Sequence, residues 1–386
     1  MAKAAIGSLL RSLHSIVGGV VVATEESPAP FPTIASLRGD HPLPGRHSFA
    51  AAAKIAEVTP AHRSNDTAVV LLSGGTTSLI GAPLKGMSEA DLTGLYEMLL
   101  GSGLDIKEMN AVRKRFSRWG AGRLALALAP AATHCFAVSD VANDDLSVIG
   151  SGPCSPDTQT ASDIEAILER AGLLSKLPQS YRDYLTSVRR GTIPDTPNRN
   201  HPAFAHVSAR VIANNRNAVD GAAAAAREAG LDVEVSKERL AGEASRAGEA
   251  IARQLIARRA AGDRGHVAIW GGETTVTVTG SRAGPSGGGR CQELALAAAR
   301  VLHEAGDDAA GITLLAAGTD GRDGATDAAG AIVDAKTWSV ILGTGRDPAH
   351  ALAAHESNGA LRAGSALIGR RETGTNVNDI VAGLIE

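Results

Sequence analysis

Short apolar runs recur along the chain, and each one ends in a cluster of small or acidic polar residues. Residues 68–72, AVVLL, are followed by SGGTTS at 73–78, and residues 266–270, HVAIW, are followed by Gly271-Gly272-Glu273. An unbroken apolar run of this length is typical of a β-strand buried on both faces. The same pattern occurs at residues 19–23, 135–138 and 312–317, which end in Thr24-Glu25-Glu26-Ser27, Ser139-Asp140 and Gly318-Thr319-Asp320-Gly321.

Alanine-rich segments with helical character separate these strands, among them SFAAAAKIAEV, NAVDGAAAAAREAG and ASRAGEAIARQLIARRAA. Strands that alternate with helices predict an α/β protein whose sheets are largely parallel. In such sheets ligands bind at the carboxyl ends of the strands. We therefore expect the polar residues at the five strand ends to form one convergent site.

The segment 73–78 has two interpretations. Glycine, serine and threonine are common turn residues, so the segment could be an ordinary turn. It could also present backbone N–H groups to an anion at the start of a helix, with Ser73, Gly74, Gly75, Thr76, Thr77 and Ser78 as the binding residues. The recurrence of polar strand ends favours the binding interpretation, because ligand pockets collect a few convergent polar groups.

A second candidate anion site lies in SRAGPSGGGRCQELAL, residues 281–296. Gly288 and Gly289 permit close backbone approach, and Arg290 adds a planar cationic fork. A helix predicted from about Gln292 would offer free N–H donors to a phosphate or carboxylate. The alternative is a flexible surface loop with a solvated arginine, and the composition does not decide between the two.

The segment GTDGRDGATD brings Asp320, Asp323 and Asp327 close together in sequence. It lacks the glutamate that an EF-hand loop needs at its last position, where Ala331 stands. The carboxylates could hold a Mg²⁺ ion shared with phosphate groups, or they could form a solvated acidic turn. Both interpretations remain open at this point.

Length and composition limit the number of domains, the binding partners and the cellular location that we expect. A chain of 386 residues exceeds one typical core, and a change of pattern near residue 236 divides it into 1–236 and 237–386. A net charge of −3 and 3% aromatic residues give no reason to expect nucleic acid or an anionic membrane as a partner. Three widely spaced cysteines argue against a disulfide framework or a zinc site. Since no stretch has the length of a membrane span or the form of a signal peptide, we predict a cytoplasmic protein.

The common catalytic motifs are absent from the sequence. It contains no GxxxxGK[ST] loop, no GxGxxG after a strand and no HRD and DFG kinase set. It also lacks an HExxH zinc pair. Nucleotide binding, if present, therefore uses a different set of residues.

Nine segments together carry a resemblance to a known family. In chain order and over nearly the whole length, they resemble the glycerate 2-kinases that have a MOFRL C-terminal domain, whose members have often been labelled hydroxypyruvate reductases. The segments are MAKAA, DHPLPGRHS, LLSGGTTSLI, DIKEMNAVRKRFSRWGAGRLA, VSDVANDDLSVIGSGPCSPD, IWGGETTVTV, GGGRCQELALA, LAAGTDGRDGATDAAGAIVD and TGTNVNDI.

The resemblance implies a two-domain α/β enzyme. The N-terminal domain would be a Rossmann-like parallel-sheet domain, the smaller C-terminal domain would be mixed α/β, and the active site would lie in the cleft between them. It also implies ATP- and Mg²⁺-dependent phosphorylation of the 2-hydroxyl of D-glycerate. Lys3 and Arg290 match the two central polar residues of the family, and the matching motifs place His41, Asp140, Glu273, Asp320 and Asn376 in the same cleft.

Three features depart from the family pattern. Met1 and Ala2 stand where the family usually has Gly before the lysine, and the first strand with its preceding helices is expected to be missing. Lys3 would then lie on a frayed end. Residues 120–122 read Gly-Ala-Gly where the family more often has Lys-Gly-Gly, and Cys291 replaces a more usual asparagine.

The resulting hypothesis divides the work of phosphoryl transfer among named residues. Lys3, Arg290 and Asp320 are the catalytic candidates, and either Asp140 or Asp320 would deprotonate the attacking hydroxyl. Residues 73–78 and the glycines before Arg290 would bind phosphate, while Asp320 or Glu273 would bind Mg²⁺.

Three alternatives remain open beside this hypothesis. They are a reductase that uses NAD(P)H, a kinase for a related sugar acid, and a non-catalytic paralogue that binds a sugar acid or nucleotide. The expected partners are small molecules, and a homodimer is left open.

Overall fold

The computed structural model describes residues 1–12, 15–59, 63–278 and 287–386. By the contacts between residues, the chain divides into two compact units, Met1–Ile212 and Ala213–Glu386. This division falls earlier than the boundary expected after residue 236. The reason is that helix Asn215–Glu228 and strand Asp232–Val235 pack on strand His266–Gly272 and so join the second unit.

The first unit is an α/β structure with two separate small sheets. Strands β1 and β2 pair in parallel, and β3 and β4 pair in parallel within a sheet of order β3-β4-β5. The strands are β1 (Gly19–Ala23), β2 (Ile34–Arg38), β3 (Thr67–Leu72), β4 (Ala132–Val138) and β5 (Val207–Ala213). The helices are α1 (Ala2–Arg11), α2 (Arg46–Val58), α3 (Thr76–Leu79), α4 (Glu89–Leu100), α5 (Ile106–Phe116), α6 (Arg123–Leu128), α7 (Ala161–Arg170) and α8 (Gln179–Arg189).

Side-chain caps fix where several of these helices begin. The Ser88 hydroxyl accepts a hydrogen bond from the Asp91 N–H at the start of α4, and the Asp105 carboxylate accepts one from the Glu108 N–H at the start of α5. Such caps satisfy N–H groups that the first turn of a helix leaves unpaired. The apolar faces of α4, α5, α7 and α8 pack into one core around Leu95, Phe116, Leu168 and Tyr181.

Buried charges at the end of α5 are paired within the first unit. Lys114 and Asp157 form an ion pair at 2.8 Å with side chains that are 7% and 1% exposed. Arg115, which is fully buried, forms an ion pair with Asp195. Arg123 donates to the carbonyls of Lys114 and Ser117 at 3.1 Å and thereby caps the C-terminal end of the helix.

The second unit contains one mixed sheet of six strands in the order β10-β9-β8-β11-β7-β6. The strands are β6 (Asp232–Val235), β7 (His266–Gly272), β8 (Ile312–Gly318), β9 (Ala328–Asp334), β10 (Leu367–Gly369) and β11 (Asp379–Ile385). The helices are α9 (Asn215–Glu228), α10 (Ala244–Ala260), α11 (Arg290–Ala305), α12 (Thr337–Gly343), α13 (Pro348–Ala353) and α14 (Ser357–Ala363). Helix α11 is buried along nearly its whole length between α10 and the sheet, because small and apolar residues occupy most of its positions.

The predicted α/β class is confirmed, and the five apolar runs form β1, β3, β4, β7 and β8. The expectation of largely parallel sheets is wrong for the second unit, where β6–β7 is the only parallel pair within the described residues. The reason lies in the connection to β11, which enters between β7 and β8 antiparallel to both. None of the helices in the described ranges combines the length and apolar character needed to cross a membrane.

Candidate functional site

Three strand ends meet at one edge of the second unit's sheet. Because β11 runs antiparallel to β7 and β8, its first residue, Asp379, lies opposite both Gly272 and Gly318, the last residues of those strands. Glu273 follows β7 directly, and Asp320 follows β8 after one residue. Of the five strand ends that were expected to converge, those of β7 and β8 therefore meet at this edge through the first residue of β11, and one site for all five stays a prediction.

Arg290 is held by two of these carboxylates. Its Nε donates to Oδ2 of Asp379 at 2.6 Å and its Nη2 donates to Oδ1 at 3.0 Å, so the contact is bidentate. Its Nη1 lies 2.8 Å from Oε1 of Glu273. Burial opposes the charge of Arg290, but the hydrogen bonds to Asp379 and the two carboxylate charges outweigh burial and raise the pKa of the guanidinium. Arg290 is therefore a fixed, permanently charged cation.

Asp379 was not singled out in the sequence analysis, although it lies in the matching segment TGTNVNDI. Its side chain is only 4% exposed. Burial raises the pKa of Asp379, Arg290 offsets part of that rise, and the neighbouring Asp320 charge adds to it. The pKa is thus raised on both sides of this ion pair for different reasons: burial raises that of Asp379, and the two carboxylates raise that of Arg290.

The network continues from Glu273 to two further residues that the sequence analysis missed. The Asn378 side-chain amide donates to Oε2 of Glu273 at 2.6 Å. The exposed Arg239 donates through Nη2 to Oδ1 of Asn378 at 3.2 Å. Asn376, a predicted site residue, is exposed, and its Oδ1 accepts the Asn378 N–H at 3.1 Å in a local turn. Asn376 thus shapes the turn before β11, and its contact with a ligand stays a prediction.

The expectation of free N–H donors at the start of α11 is wrong for Cys291 and Gln292. The Asp323 carboxylate accepts their N–H groups at 3.1 and 2.8 Å, and also accepts Nε2 of Gln292 at 2.9 Å. Asp323 lies against Gly289, where a Cβ atom would overlap the carboxylate. A phosphate cannot use donors that a buried carboxylate already occupies. The assignment of Gly288 and Gly289 to phosphate binding stays a prediction.

The acidic segment that contains Asp320, Asp323 and Asp327 is not one cluster in space. Asp323 caps α11, Asp327 forms an exposed ion pair with Arg362, and Oδ1 of Asp320 accepts the Arg322 N–H at 2.9 Å. Within the described ranges, no group of three or more His, Cys, Asp or Glu side chains is placed to hold a metal ion.

Of the two predicted Mg²⁺ ligands, the contacts fit Asp320 and not Glu273. Both oxygens of Glu273 already bind Arg290 and Asn378. In the described part of the chain, Oδ2 of Asp320 has no hydrogen-bond partner, so one carboxylate oxygen can serve as a ligand. Mg²⁺ commonly binds through one or two carboxylates together with phosphate oxygens and water. Asp320 therefore has an oxygen available for an ion that arrives with a nucleotide, and metal binding by either residue stays a prediction.

A second set of predicted residues meets in the first unit. Parallel pairing of β3 with β4 aligns Leu72 with Ala137, so segment 73–78 begins beside Ser139 and Asp140. Gly75 has φ 79°, a left-handed conformation that favours glycine. Hydroxyls stabilise the segment: Thr76 donates to the Ser73 carbonyl at 2.7 Å, Ser78 donates to the Pro42 carbonyl at 2.6 Å, and Thr77 shares a 2.8 Å hydrogen bond with Ser151.

The backbone of this segment keeps donors available. In the part of the chain that the structure describes, the N–H groups of residues 74–77 donate no hydrogen bond to a backbone carbonyl, whereas the Ser78 and Leu79 N–H groups both donate to Gly75. Successive unpaired N–H groups at the end of a parallel strand are a common anion-binding arrangement. The geometry is compatible with the predicted cradle, and anion binding itself stays a prediction.

Asp140 and His41 lie at the edge of segment 73–78. The Asp140 carboxylate lies so close to Gly74 that a Cβ atom there would overlap it, and burial raises the pKa of Asp140. Ring atoms of the exposed His41 lie 3.2 Å from the position of a Cβ atom on Gly75. A carboxyl group with a raised pKa next to a loop of free donors is suited to take a proton from a bound hydroxyl.

Lys3 lies in the first turn of α1, as an exposed side chain. No hydrogen bond or ion pair of its ammonium group is present among the described residues of the first unit. The catalytic role that the resemblance implies for Lys3 therefore stays a prediction. Residues 281–286 of the segment before Arg290 lie outside the described residues.

Comparison with known proteins identifies relatives over the whole chain. A domain of unknown function, DUF4147, matches residues 1–186, and the MOFRL family matches residues 266–379. The D-glycerate 2-kinase of Thermotoga maritima is 36% identical over 100% of this chain and 88% of its own. A relative from Agrobacterium vitis, also 36% identical over 100% of this chain and 97% of its own, carries a hydroxypyruvate reductase name.

A solved structure confirms the likeness in three dimensions. The crystal structure of a glycerate kinase from Thermotoga maritima matches with a TM-score of 0.86 at 36% sequence identity. The match covers 100% of this chain and 88% of that chain.

Proposed function

This chain belongs to the family of glycerate 2-kinases that combine DUF4147 and MOFRL domains, and from that membership we infer that it is a phosphotransferase acting on glycerate. The reaction moves the γ-phosphoryl group of ATP to the 2-hydroxyl of D-glycerate, and ADP leaves. The observation that carries the inference is the Arg290 guanidinium, fixed by Asp379 and Glu273 where β7, β8 and β11 meet.

Phosphoryl transfer depends on positioning and on neutralising charge more than on covalent chemistry. Arg290 supports both tasks, because its orientation is set before the substrate arrives and its charge does not titrate near neutral pH. We assign Arg290 to the oxygens of the transferred phosphoryl group. Mg²⁺ bound with ATP would supply further neutralisation of phosphate charge, and Asp320 is the residue that would hold it.

Segment 73–78 was assigned to the phosphates of ATP on sequence grounds. The position of Asp140 against Gly74 favours a ligand with a hydroxyl group there, because an ionised carboxylate accepts a hydrogen bond from a hydroxyl and finds no donor on an ionised phosphate. We therefore propose that the N–H groups of residues 74–77 bind the sugar acid and that Asp140 is the general base for its hydroxyl. The proton removed from the hydroxyl would rest on the Asp140 carboxylate.

A coupled assay of ADP formation tests this function, with D-glycerate, ATP and Mg²⁺ as substrates. We expect turnover by the wild type and a kcat/KM at least about tenfold lower for Arg290→Ala, since one charge-assisted contact is worth roughly that factor. Arg362→Ala is the matched control, because Arg362 forms an exposed ion pair with Asp327 in the same unit. Near-normal turnover by Arg290→Ala would remove that residue from the site.

Companion measurements of NADH oxidation and of ligand binding distinguish the remaining functions. Oxidation of NADH with hydroxypyruvate, without ADP formation, would support the reductase name carried by some relatives. ADP formation only with another sugar acid would change the substrate and keep the reaction. Binding of glycerate without any turnover would support a non-catalytic protein.

A further inference from the structure

Arg113, on α5, is a half-buried cation without a paired anion among the described residues. Its Nε is fully buried and has no hydrogen-bond partner in the described part of the chain, and its Nη1 makes one long contact of 3.4 Å with Oδ1 of Asn110. The next two residues, Lys114 and Arg115, both form ion pairs with aspartates. The same helix therefore pairs two of its three consecutive cations and leaves Arg113 unpaired.

The surroundings of Arg113 do not replace the missing anion. The guanidinium carbon lies 4.9 Å from the ring centroid of Tyr96, which offers a cation–π contact. Burial lowers the pKa of Arg113, and Tyr96 opposes that shift only in part. Holding a partly desolvated charge without a counter-ion costs free energy in the unliganded protein. A bound anion would remove that cost.

A chain of contacts leads from segment 73–78 towards Arg113. Ser78 donates to the Pro42 carbonyl at 2.6 Å, and Thr93 donates to the Pro44 carbonyl at 3.0 Å, so residues 41–44 connect the segment to α4. Tyr96 lies one turn beyond Thr93 on that helix and packs beneath the guanidinium of Arg113.

His41 lies within electrostatic range of Arg113. Its ring lies next to Gly75, and partial burial of this otherwise exposed side chain, together with the positive charge of Arg113, lowers the pKa of His41. A neutral imidazole leaves Arg113 as the cation available to an anionic ligand at this end of the segment.

We propose that Arg113 binds the carboxylate of the sugar acid and so selects acids over neutral polyols. The proposal rests on the function inferred above and adds the residue that recognises the acid group. A guanidinium presents two parallel N–H donors that match the two oxygens of a carboxylate, which an ammonium group does not. The N–H groups of residues 74–77 and Asp140 then remain for the hydroxyl-bearing part of the substrate.

The test compares Arg113→Gln, Arg113→Lys and wild type in the ADP assay. For Arg113→Gln we expect the KM for D-glycerate to rise about 10- to 100-fold, the range of one or two charge-assisted hydrogen bonds, while the KM for ATP changes less than about twofold. The KM of Arg113→Lys for D-glycerate should lie between those of wild type and Arg113→Gln, because lysine keeps the positive charge and lacks the two parallel N–H donors. Arg118→Gln is the control, since that exposed arginine stacks on Trp119 and has no part in the proposed site.

Thermal unfolding without ligand separates binding from a structural role. If Arg113 is unpaired until an anionic ligand binds, Arg113→Gln without ligand should melt at the same temperature as wild type or higher, because the substitution removes the unpaired charge. A lower melting temperature with an unchanged KM for D-glycerate would mean that the arginine only stacks on Tyr96. A raised KM for ATP in place of that for glycerate would also overturn the proposal.

Calorimetric titration with D-glycerate keeps this inference distinct from the proposed kinase activity. If wild type binds glycerate without turnover and Arg113→Gln does not bind, the carboxylate site stands and the kinase assignment fails. If both proteins turn glycerate over with equal KM, the kinase stands and the carboxylate site fails. If wild type neither binds nor phosphorylates glycerate or a related sugar acid, both are refuted.

Discussion

Asp379→Asn isolates the contribution of one buried carboxylate to the orientation of Arg290. The substitution nearly preserves the volume of the side chain and removes its charge. It also places an amide donor against one of the two guanidinium nitrogens that donate to Asp379 at 2.6 and 3.0 Å. Arg290 keeps its single 2.8 Å contact with Glu273, an exposed residue. We therefore expect the guanidinium to remain in place on average and to lose its fixed orientation.

The magnitude follows from the number of hydrogen bonds lost. A hydrogen bond to a charged group contributes about 1.5–3 kcal/mol, and each 1.36 kcal/mol of transition-state stabilisation is about tenfold in rate. Asp379→Asn should therefore lower kcat/KM by about 10- to 150-fold. The loss of global stability should be smaller, about 1 kcal/mol or less, because burial raises the pKa of Asp379. An ionised group whose folded-state pKa exceeds its unfolded value destabilises the fold at neutral pH, and the neutral amide removes that penalty.

The assay is a double-mutant cycle with Asp379→Asn, Arg290→Gln and the double variant, measured by ADP formation and by urea unfolding. If Asp379 acts through Arg290, the double variant should be no slower than Arg290→Gln alone. Asp327→Asn is the control, because it breaks an exposed arginine–aspartate pair in the same unit. Multiplicative losses in the double variant, or Asp379→Asn within twofold of wild type, would refute the reasoning.

Three further predictions concern Asp140 and segment 73–78. Gly74→Ala should displace the Asp140 carboxylate, since the new Cβ overlaps it, and lower kcat/KM by about tenfold or more. Gly94→Ala, in open space on α4, should keep full activity and stabilise the fold by up to about 1 kcal/mol; equal activity of the two variants would contradict the role of Asp140. Burial raises the pKa of Asp140 above its ordinary value of 3.8, and a base must be unprotonated, so kcat should fall as pH drops through that raised value. Asp140→Asn should lose about 10²- to 10⁴-fold in kcat, and a variant that keeps both the rate and the acid limb of its pH profile would place the base elsewhere.

The sequence predicted the elements of this fold well, because their signals are local. The apolar runs at 68–72 and 312–317 became β3 and β8, since an unbroken apolar run favours a strand whatever its neighbours are, although β3 is mostly half-buried and only alternate residues of β8 are buried. Family membership was also readable from the chain, because nine short segments keep their order over its whole length. The polar strand ends also indicated Asp320 and Glu273, which follow β8 and β7 on either side of β11.

The partners of these residues were not readable from the sequence. Arg290 and Asp379 are 89 positions apart, and Asp323 reaches the start of α11 from 32 positions away. A pattern of apolar and polar residues does not say which distant acid will meet a given helix terminus. The free donors predicted at that terminus were therefore occupied, and Asp379 was missed.

The sequence alone determined the class of fold, most strands and helices, and the residues from which a site can be built. The tertiary structure decided which of them act together. The insertion of β11 antiparallel between β7 and β8 brings Asp379 to the ends of both strands, and the parallel register of β3 and β4 brings Asp140 against Gly74. Strand order and register depend on how whole elements pack. They therefore decide which charged side chains meet at the site, and no local sequence pattern encodes those contacts.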